Sequence, residues 1–169
     1  SYGYMLGDYV RDKDAVTASM LLTEMAAWYA AQGMTLFDAL NALYEKYGYY
    51  AEKTHNLVMP GLDGLRDMAE LMRKLKDEPP TEIAGTEVVV RKDYNDGTVH
   101  DCHTGAVTKM ELSGSNVLRF ELSDGTTILA RPSGTEPKIK VYILARGKDA
   151  ADAAANVEKY GAWAEALKG

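Results

Sequence analysis

The chain has 169 residues, of which 46% are hydrophobic and 26% are charged, a composition typical of a folded globular protein of one to two small domains. Its 19 basic and 25 acidic residues give a formal net charge of −6, which argues against broad binding to nucleic acid. No charge-free apolar run approaches the roughly 20 residues that cross a bilayer. The single cysteine, Cys102, excludes an internal disulfide and favours a reducing, cytoplasmic location.

The first third of the chain predicts a loop followed by a long helix. The first dozen residues show no hydrophobic period and predict the loop. From Asp14 to Gln32 the residues are strong helix formers, with Asp12 or Asp14 as the N-cap and Gly33 placed for a left-handed C-terminal residue. The helix is apolar on all sides, which is typical of a helix that packs on two sides.

A second helix opens at Thr35, which has capping-box spacing to Asp38, and ends at Gly48. Two helices do not make a domain core by themselves. Residues 1–48 are therefore either a helical extension packed on the following domain or the remnant of a preceding α/β domain whose strands are missing.

The remainder of the chain, residues 49–169, alternates between strand and helix patterns. A strand over 49–59 is followed by a helix over about 62–76 and, after a Pro-Pro break, by several segments of period two. The predicted strands lie at 87–93, 116–122, 126–130 and 138–145, and a closing amphipathic helix runs over 149–167. These segments predict an α+β domain with a small, mostly antiparallel sheet of four or five strands and two helices on one face.

One stretch between two predicted strands carries more chemistry than a turn requires. Residues 131–140 read RPSGTEPKIK. Arg131 offers a planar guanidinium that can hold two phosphate oxygens, Ser133 and Thr135 offer hydroxyl donors, and Gly134 lets backbone N–H groups approach an anion. Lys138 and Lys140 share one face of the following strand. These groups suit a phosphate monoester, although the same residue types also occur in a solvated turn.

The string RPSGTEPKIK resembles the phosphate-binding loop in the last domain of the α-D-phosphohexomutases, the superfamily of phosphoglucomutase and phosphomannomutase. The resemblance implies that Arg131, Ser133, Gly134 and Thr135 bind the phosphate of a phosphosugar. It also implies a further contact from Lys140, whereas Lys138 is better explained as a surface lysine at a strand end. On this resemblance residues 49–169 are the C-terminal phosphate-binding domain four, and residues 1–48 are the end of domain three.

Two short segments near the start resemble the same family. Ser1-Tyr2-Gly3 resembles the tail of the domain-three loop that contacts sugar hydroxyls, with the preceding glutamates cut away. The segment from Arg11 to Asp14 resembles the family's Lys-Asp segment, which implies phosphosugar binding by Lys13. The alternatives are a cloning remnant for Ser1 and a solvated capping turn for residues 11–14.

The resemblance also implies a function for the parent protein: interconversion of hexose 1-phosphate and hexose 6-phosphate through a phosphoserine and a hexose bisphosphate that acts as intermediate and activator. The implied partners are the phosphosugar and the upstream domains of the same polypeptide. The serine segment and the aspartate-rich loop that would hold Mg²⁺ have no counterpart in these 169 residues. We therefore expect no catalytic residue and no metal ligand here, and an inactive fragment.

A possible metal cluster, the apolar first helix and the overall function each allow a further interpretation. His100-Asp101-Cys102-His103 has some character of a metal cluster, but zinc sites use two spaced pairs, and a solvated loop between strands explains it better. The apolar helix predicts self-association of this fragment. The alternative function is a stand-alone α+β phosphate-binding or regulatory module.

Overall fold

The computed structural model describes residues 3–9 and 11–168, and the chain divides into two compact units, Ser1–Tyr47 and Gly48–Gly169. The first unit contains two helices, α1 (Ala15–Ala30) and α2 (Leu36–Tyr47). None of the helices in the described ranges is long and apolar enough to cross a membrane.

Side-chain caps fix where the first two helices begin. Asp14, not Asp12, caps α1, because its Oδ1 accepts hydrogen bonds from the backbone N of Val16 and Thr17 at 2.9 and 3.2 Å. At α2 the predicted capping box is present: Thr35 N donates to Asp38 Oδ2 at 2.8 Å and Asp38 N donates to Thr35 Oγ1 at 3.2 Å.

Helix α1 does not pack on two sides within the described part of the chain, contrary to the expectation from its apolar sequence. None of its residues is buried, and Val16, Met20 and Trp28 are 76%, 70% and 59% exposed. The reason is geometric: α2 is its neighbour in this unit, and two short helices cannot enclose each other's apolar surface.

The second unit is an antiparallel sheet with two helices. Its elements are β1 (Tyr49–Val58), α3 (Gly64–Asp77), β2 (Glu82–Ile83), β3 (Thr86–Asp93), β4 (Thr98–Asp101), β5 (Val107–Lys109), β6 (Leu118–Leu122), β7 (Thr127–Pro132), β8 (Lys138–Gly147) and α4 (Ala150–Ala166). The strand order is β1-β8-β7-β6-β3-β4-β5, with β2 paired to β3, and each of these pairings is antiparallel.

The predicted α+β class with a mostly antiparallel sheet is confirmed, but the predicted number of strands was too low. The described residues form eight strands instead of four or five. The strands that the sequence pattern did not predict, β2, β4 and β5, have two, four and three residues. Segments of that length show too few alternations for a period of two to be recognised.

Strand β8 is the centre of the core. Its residues alternate along its length, and Ile139, Val141, Ile143 and Ala145 are all 0% exposed. Helices α3 and α4 cover the face to which these side chains point, and they contribute to the same buried cluster through Met72, Leu75, Val157, Tyr160 and Ala164. The opposite face of the sheet is left open by the two helices.

Tyr160 of α4 joins the closing helix to the β6–β7 turn and to the first residue of β3. Its side chain is fully buried, its hydroxyl donates a hydrogen bond to the Asp124 carboxylate in the β6–β7 turn, and the same oxygen lies 2.9 Å from Thr86 Oγ1. Burial, and then the neighbouring Asp124 carboxylate, raise the pKa of Tyr160 to about 12. The phenol therefore remains a hydrogen-bond donor at neutral pH.

We expect Tyr160→Phe to lower the free energy of unfolding at pH 7 by about 1–3 kcal/mol, because Asp124 loses a buried donor. The pKa in the folded chain lies above the ordinary value of 10.0, so the unfolded chain ionises first as pH rises. The contribution of Tyr160 is therefore complete below about pH 10 and is lost toward pH 12. Urea denaturation of both proteins near pH 8 and near pH 11.5 should show the difference between them shrinking, and a constant difference would contradict this account.

Candidate functional site

The residues of the predicted phosphate loop form a short, self-closing hairpin between β7 and β8. Ser133 N donates to Lys138 O at 2.8 Å, and Lys138 N donates to Glu136 O at 2.8 Å. Thr135 N lies 3.4 Å from Ser133 Oγ. The turn is thus closed by its own backbone, and the hydroxyls of Ser133 and Thr135 belong to a small, locally ordered loop.

The register of β7 against β8 brings two cations together beside this loop. Arg131 is the direct cross-strand partner of Lys140. Both side chains lie on the open face of the sheet, since their neighbours Ala130 and Ile139 are buried on the other face. In an antiparallel pair, directly opposite side chains have Cβ atoms about 5 Å apart, so one anion can contact both cations.

The two lysines of the hairpin differ in what they contact. Lys138 Nζ forms an ion pair with the Glu136 carboxylate, and this hydrogen bond is the main reason that the pKa of Glu136 is lowered. Arg131 and Lys140 have no carboxylate within 4.0 Å in the part of the chain that the structure describes. The cations of the hairpin without an ion pair in the described residues are therefore Arg131 and Lys140, although the charge of Lys140 also helps to lower the pKa of Glu136.

The tip of the hairpin is open. Gly134 and Thr135 are exposed, and a Cβ added to Gly134 would have no heavy atom within 4 Å. The free space at Gly134 lets an anion reach the backbone there, next to the two cations. The hairpin thus carries two hydroxyls, an open glycine and a neighbouring pair of cations, the kinds of group that bind a phosphate.

The shoulder of the hairpin is fixed by the segment that links β1 to α3, a contact that the sequence did not indicate. Met59 N donates to Pro137 O at 2.8 Å. Gly64, the buried first residue of α3, packs so closely that an added Cβ would lie 2.2 Å from Met59 O and 3.1 Å from Pro137 Cβ. In the sequence, the one indication of this close packing is a glycine near the start of a predicted helix. The need for glycine there becomes clear from the contact with Met59 and Pro137.

The N-terminal candidates belong to the first unit. Ser1 and Tyr2 lie outside the described residues. Lys13 lies against Gly3, since a Cβ on Gly3 would be 2.0 Å from the Lys13 side chain, and Lys13 Nζ pairs with Asp12 at 3.1 Å. Gly3 and Tyr4 thus lie next to the segment 11–14, with Asp14 N donating to Tyr4 O at 2.9 Å.

The His-Cys segment is not the solvated loop that was expected, because its first two residues belong to β4. His100 Nδ1 lies 3.3 Å from Arg91 Nη2, whereas His103 Nδ1 lies 3.5 Å from Glu87 Oε1. Although Cys102 is exposed, partial desolvation of its thiol raises the pKa. The side chains of the two histidines have different partners, and no group of three or more His, Cys, Asp or Glu able to hold a metal occurs among residues 3–9 and 11–168.

A groove of about 450 Å³ lies toward the other edge of the sheet, where Arg91 and His100 contribute to its lining. Glu87 and Asp101 line the same groove. Acidic and basic side chains both line the groove, so it favours neither anionic nor cationic ligands. The hairpin, where Arg131 and Lys140 form no ion pair in the described residues, is the better candidate for an anion site.

A comparison with protein families identifies the family to which the chain belongs. The family model described as "Phosphoglucomutase/phosphomannomutase, C-terminal domain" matches residues 56–159, more than half of the chain. The chain belongs to this family. The resemblance first recognised in residues 131–140 is confirmed, and the hairpin lies inside the matched segment.

Individual relatives agree with the family model. The phosphoglucomutase of Staphylococcus aureus (strain N315) is 34% identical over 157 residues, which are 93% of this chain and 28% of the relative. The phosphoglucomutase of Staphylococcus haemolyticus (strain JCSC1435) is 36% identical over 143 residues, 85% of this chain and 26% of the relative. The chain therefore spans about a quarter of the length of these curated relatives.

A solved structure supports the fold. The open form of pp63/parafusin, a phosphoglucomutase from Paramecium, covers 94% of this chain with a TM-score of 0.57 at 18% sequence identity, and the match spans 28% of that protein. At this identity the likeness concerns the fold alone. It agrees with the antiparallel sheet and the helices described above.

We expect Gly64→Ala to destabilise the protein by about 1–3 kcal/mol, because its Cβ would meet backbone atoms that cannot rotate away. The clash outweighs the gain of up to about 1 kcal/mol in helix propensity. Gly134→Ala is the matched control: its Cβ meets nothing within 4 Å, and stability should stay within about 0.5 kcal/mol. Urea denaturation measures both variants, and equal stabilities would contradict the packing of Gly64 described here.

Proposed function

We propose that residues 49–169 form the phosphate-binding domain four of an enzyme that interconverts hexose 1-phosphate and hexose 6-phosphate. The observation that supports this most directly is the pair of cations beside the open tip of the hairpin, Arg131 and Lys140, which form no ion pair within the described residues. In this proposal Arg131, Ser133, Gly134, Thr135 and Lys140 bind the phosphate group that does not react. The exposed free thiol of Cys102 agrees with a cytoplasmic location.

Binding through phosphate rather than sugar suits a reaction in which the substrate turns round. A phosphoserine on the parent protein would donate its phosphoryl group to the hexose monophosphate, and the resulting bisphosphate would return a phosphoryl group from its other end. The hairpin would hold the second phosphate in each orientation, since both ends of the bisphosphate present the same anion. Its donors position the substrate, and such positioning supplies much of the catalysis in phosphoryl transfer.

The reacting groups are proposed to lie outside this chain. The sequence has no counterpart of the family's serine segment or its aspartate-rich loop, and no cluster of carboxylates suited to Mg²⁺ occurs in the described ranges. The residues present therefore do not fit a Mg²⁺ site, and no step is assigned to the metal here. We propose that the chain by itself binds phosphosugar without converting it.

Residues 1–48 are proposed to be the end of domain three. Lys13 would add a contact to the phosphosugar, and Ser1 would belong to the sugar-reading loop. The packing of Lys13 over Gly3 supports this, since it holds the lysine stem against the segment that follows Ser1. Lys13 also immediately precedes the N-cap of α1, where the helix dipole favours anions.

Arg131→Ala should weaken binding of glucose 1-phosphate at least tenfold, because a charge-assisted hydrogen bond to phosphate is lost. An NMR titration of the whole chain, following backbone amides, measures the dissociation constant. Arg73→Ala removes the same charge from α3, where the arginine is 66% exposed and pairs with Asp77, and it should leave binding unchanged. Unchanged affinity in Arg131→Ala would place the phosphate elsewhere and contradict the proposal.

The exposed face of α1 is proposed to drive association of two copies of this chain. Val16, Met20, Leu22, Met25 and Trp28 are all exposed, and clustered apolar surface of this kind promotes association. The proposed partner of α1 is a second copy of the chain, because every molecule carries the same exposed apolar helix.

Light scattering should show a mass that rises with concentration, and Met20→Lys combined with Trp28→Lys should return the chain to a monomer. Leu112→Lys, which changes an equally exposed leucine outside α1, should have no effect. A wild-type chain that stays monomeric at every concentration would contradict this prediction.

A further inference from the structure

A row of three polar side chains crosses the open face of the sheet beside the hairpin. Asn56 of β1 is the direct cross-strand partner of Lys140 in β8, and Lys140 is the partner of Arg131 in β7. The neighbours Leu57 and Ile139 are 0% exposed on the helix-covered face, so Asn56 and Lys140 point to the open one. Neighbouring strands lie about 5 Å apart, so the row spans about 10 Å.

Asn56 brings a chemistry that the two cations lack. Lys140 and Arg131 can only donate hydrogen bonds, whereas a carboxamide offers two N–H donors and a carbonyl acceptor. Asn56 is exposed, and its amide makes no side-chain hydrogen bond in the described part of the chain. The row therefore has donors for an anion at one end and a combined donor and acceptor, the chemistry that recognises hydroxyl groups, at the other.

The surroundings of Asn56 favour the sugar over other ligands. The nearest carboxylate on the same face of β1 is Glu52, four residues and about 13 Å along the strand, so it does not occupy the amide. On the other side of Arg131, strand β6 has no described residue paired with it, because the β6–β7 ladder ends with Leu118 opposite Ala130. A sugar attached to a phosphate at Arg131 and Lys140 thus finds polar partners on the β1 side.

We propose that Asn56 is a sugar-binding residue. Its carboxamide accepts hydrogen bonds from, and donates hydrogen bonds to, the hydroxyl groups next to the phosphate of the bound phosphosugar. The inference rests on the proposed phosphate site at Arg131 and Lys140. Asn56 contributes affinity for the sugar part of the ligand and none for the phosphate part. It is thereby a determinant of specificity within the same domain that binds the phosphate.

Two probes separate these contributions: inorganic phosphate and glucose 1-phosphate, each titrated into the whole chain and followed by NMR. Asn56→Ala should weaken binding of glucose 1-phosphate about fivefold, the range of one or two neutral hydrogen bonds, and leave phosphate binding unchanged. Thr54→Ala is the matched control, since it lies on the same face of β1 but opposite Tyr142 rather than Lys140. It should change neither affinity.

The outcomes distinguish this inference from the proposed function. Suppose that Arg131→Ala weakens the binding of both phosphate and glucose 1-phosphate. If Asn56→Ala then weakens the binding of neither ligand, or of both equally, the role of Asn56 is overturned while the phosphate site stands. If Arg131→Ala changes neither affinity, or the wild-type chain binds neither probe, the phosphate site fails and the inference with it. Unchanged amide spectra away from β1 confirm that the variants are folded.

Discussion

The pairing of β8 with β7 and β1 is the constraint on which the rest of the domain depends. Every second residue of β8 from Ile139 to Ala145 is completely buried, so its register is set by the core. A slip by one residue would move Ile139 and Val141 into solvent and Lys140 into the core, at a cost of several kcal/mol. The same alternation that stabilises the sheet therefore fixes which side chains face an incoming ligand.

Local charge matters more here than net charge. The chain carries a formal charge of −6, yet its hairpin presents two cations on one small surface. Glu136 pairs with Lys138, whereas Arg131 and Lys140 form no ion pair in the part of the chain that the structure describes. An anion site on an acidic protein is possible because screening limits the influence of distant charges to about 10 Å at ordinary ionic strength.

Much of the second unit was predictable because its signals are local. The alternation of KIKVYILA gave the buried and open faces of β8, and Ser123-Asp124-Gly125 gave the turn between β6 and β7. Gly125 has the positive φ that such a turn requires. The order of residues 131–140 also carried the family resemblance, which the comparison later confirmed.

What the sequence could not predict depends on contacts between distant segments. Asn56 lay in a predicted strand, but only the register of β1 against β8 makes it a neighbour of Lys140. Nothing in the sequence indicated the contact between Gly64 and Pro137, because it joins the start of α3 to a hairpin more than 70 residues further along the chain. The expectation for α1 was wrong for the same reason: an apolar helix predicts burial, but not where the covering surface comes from.

A crystal structure of the chain with inorganic phosphate tests the central claim most directly. The account predicts an ordered anion in contact with both the Arg131 guanidinium and the Lys140 ammonium group, with backbone N–H groups of the hairpin tip completing its hydrogen bonds. An ordered phosphate that contacts Arg91 and His100 in the groove toward the other edge of the sheet, with none at the hairpin, would contradict it.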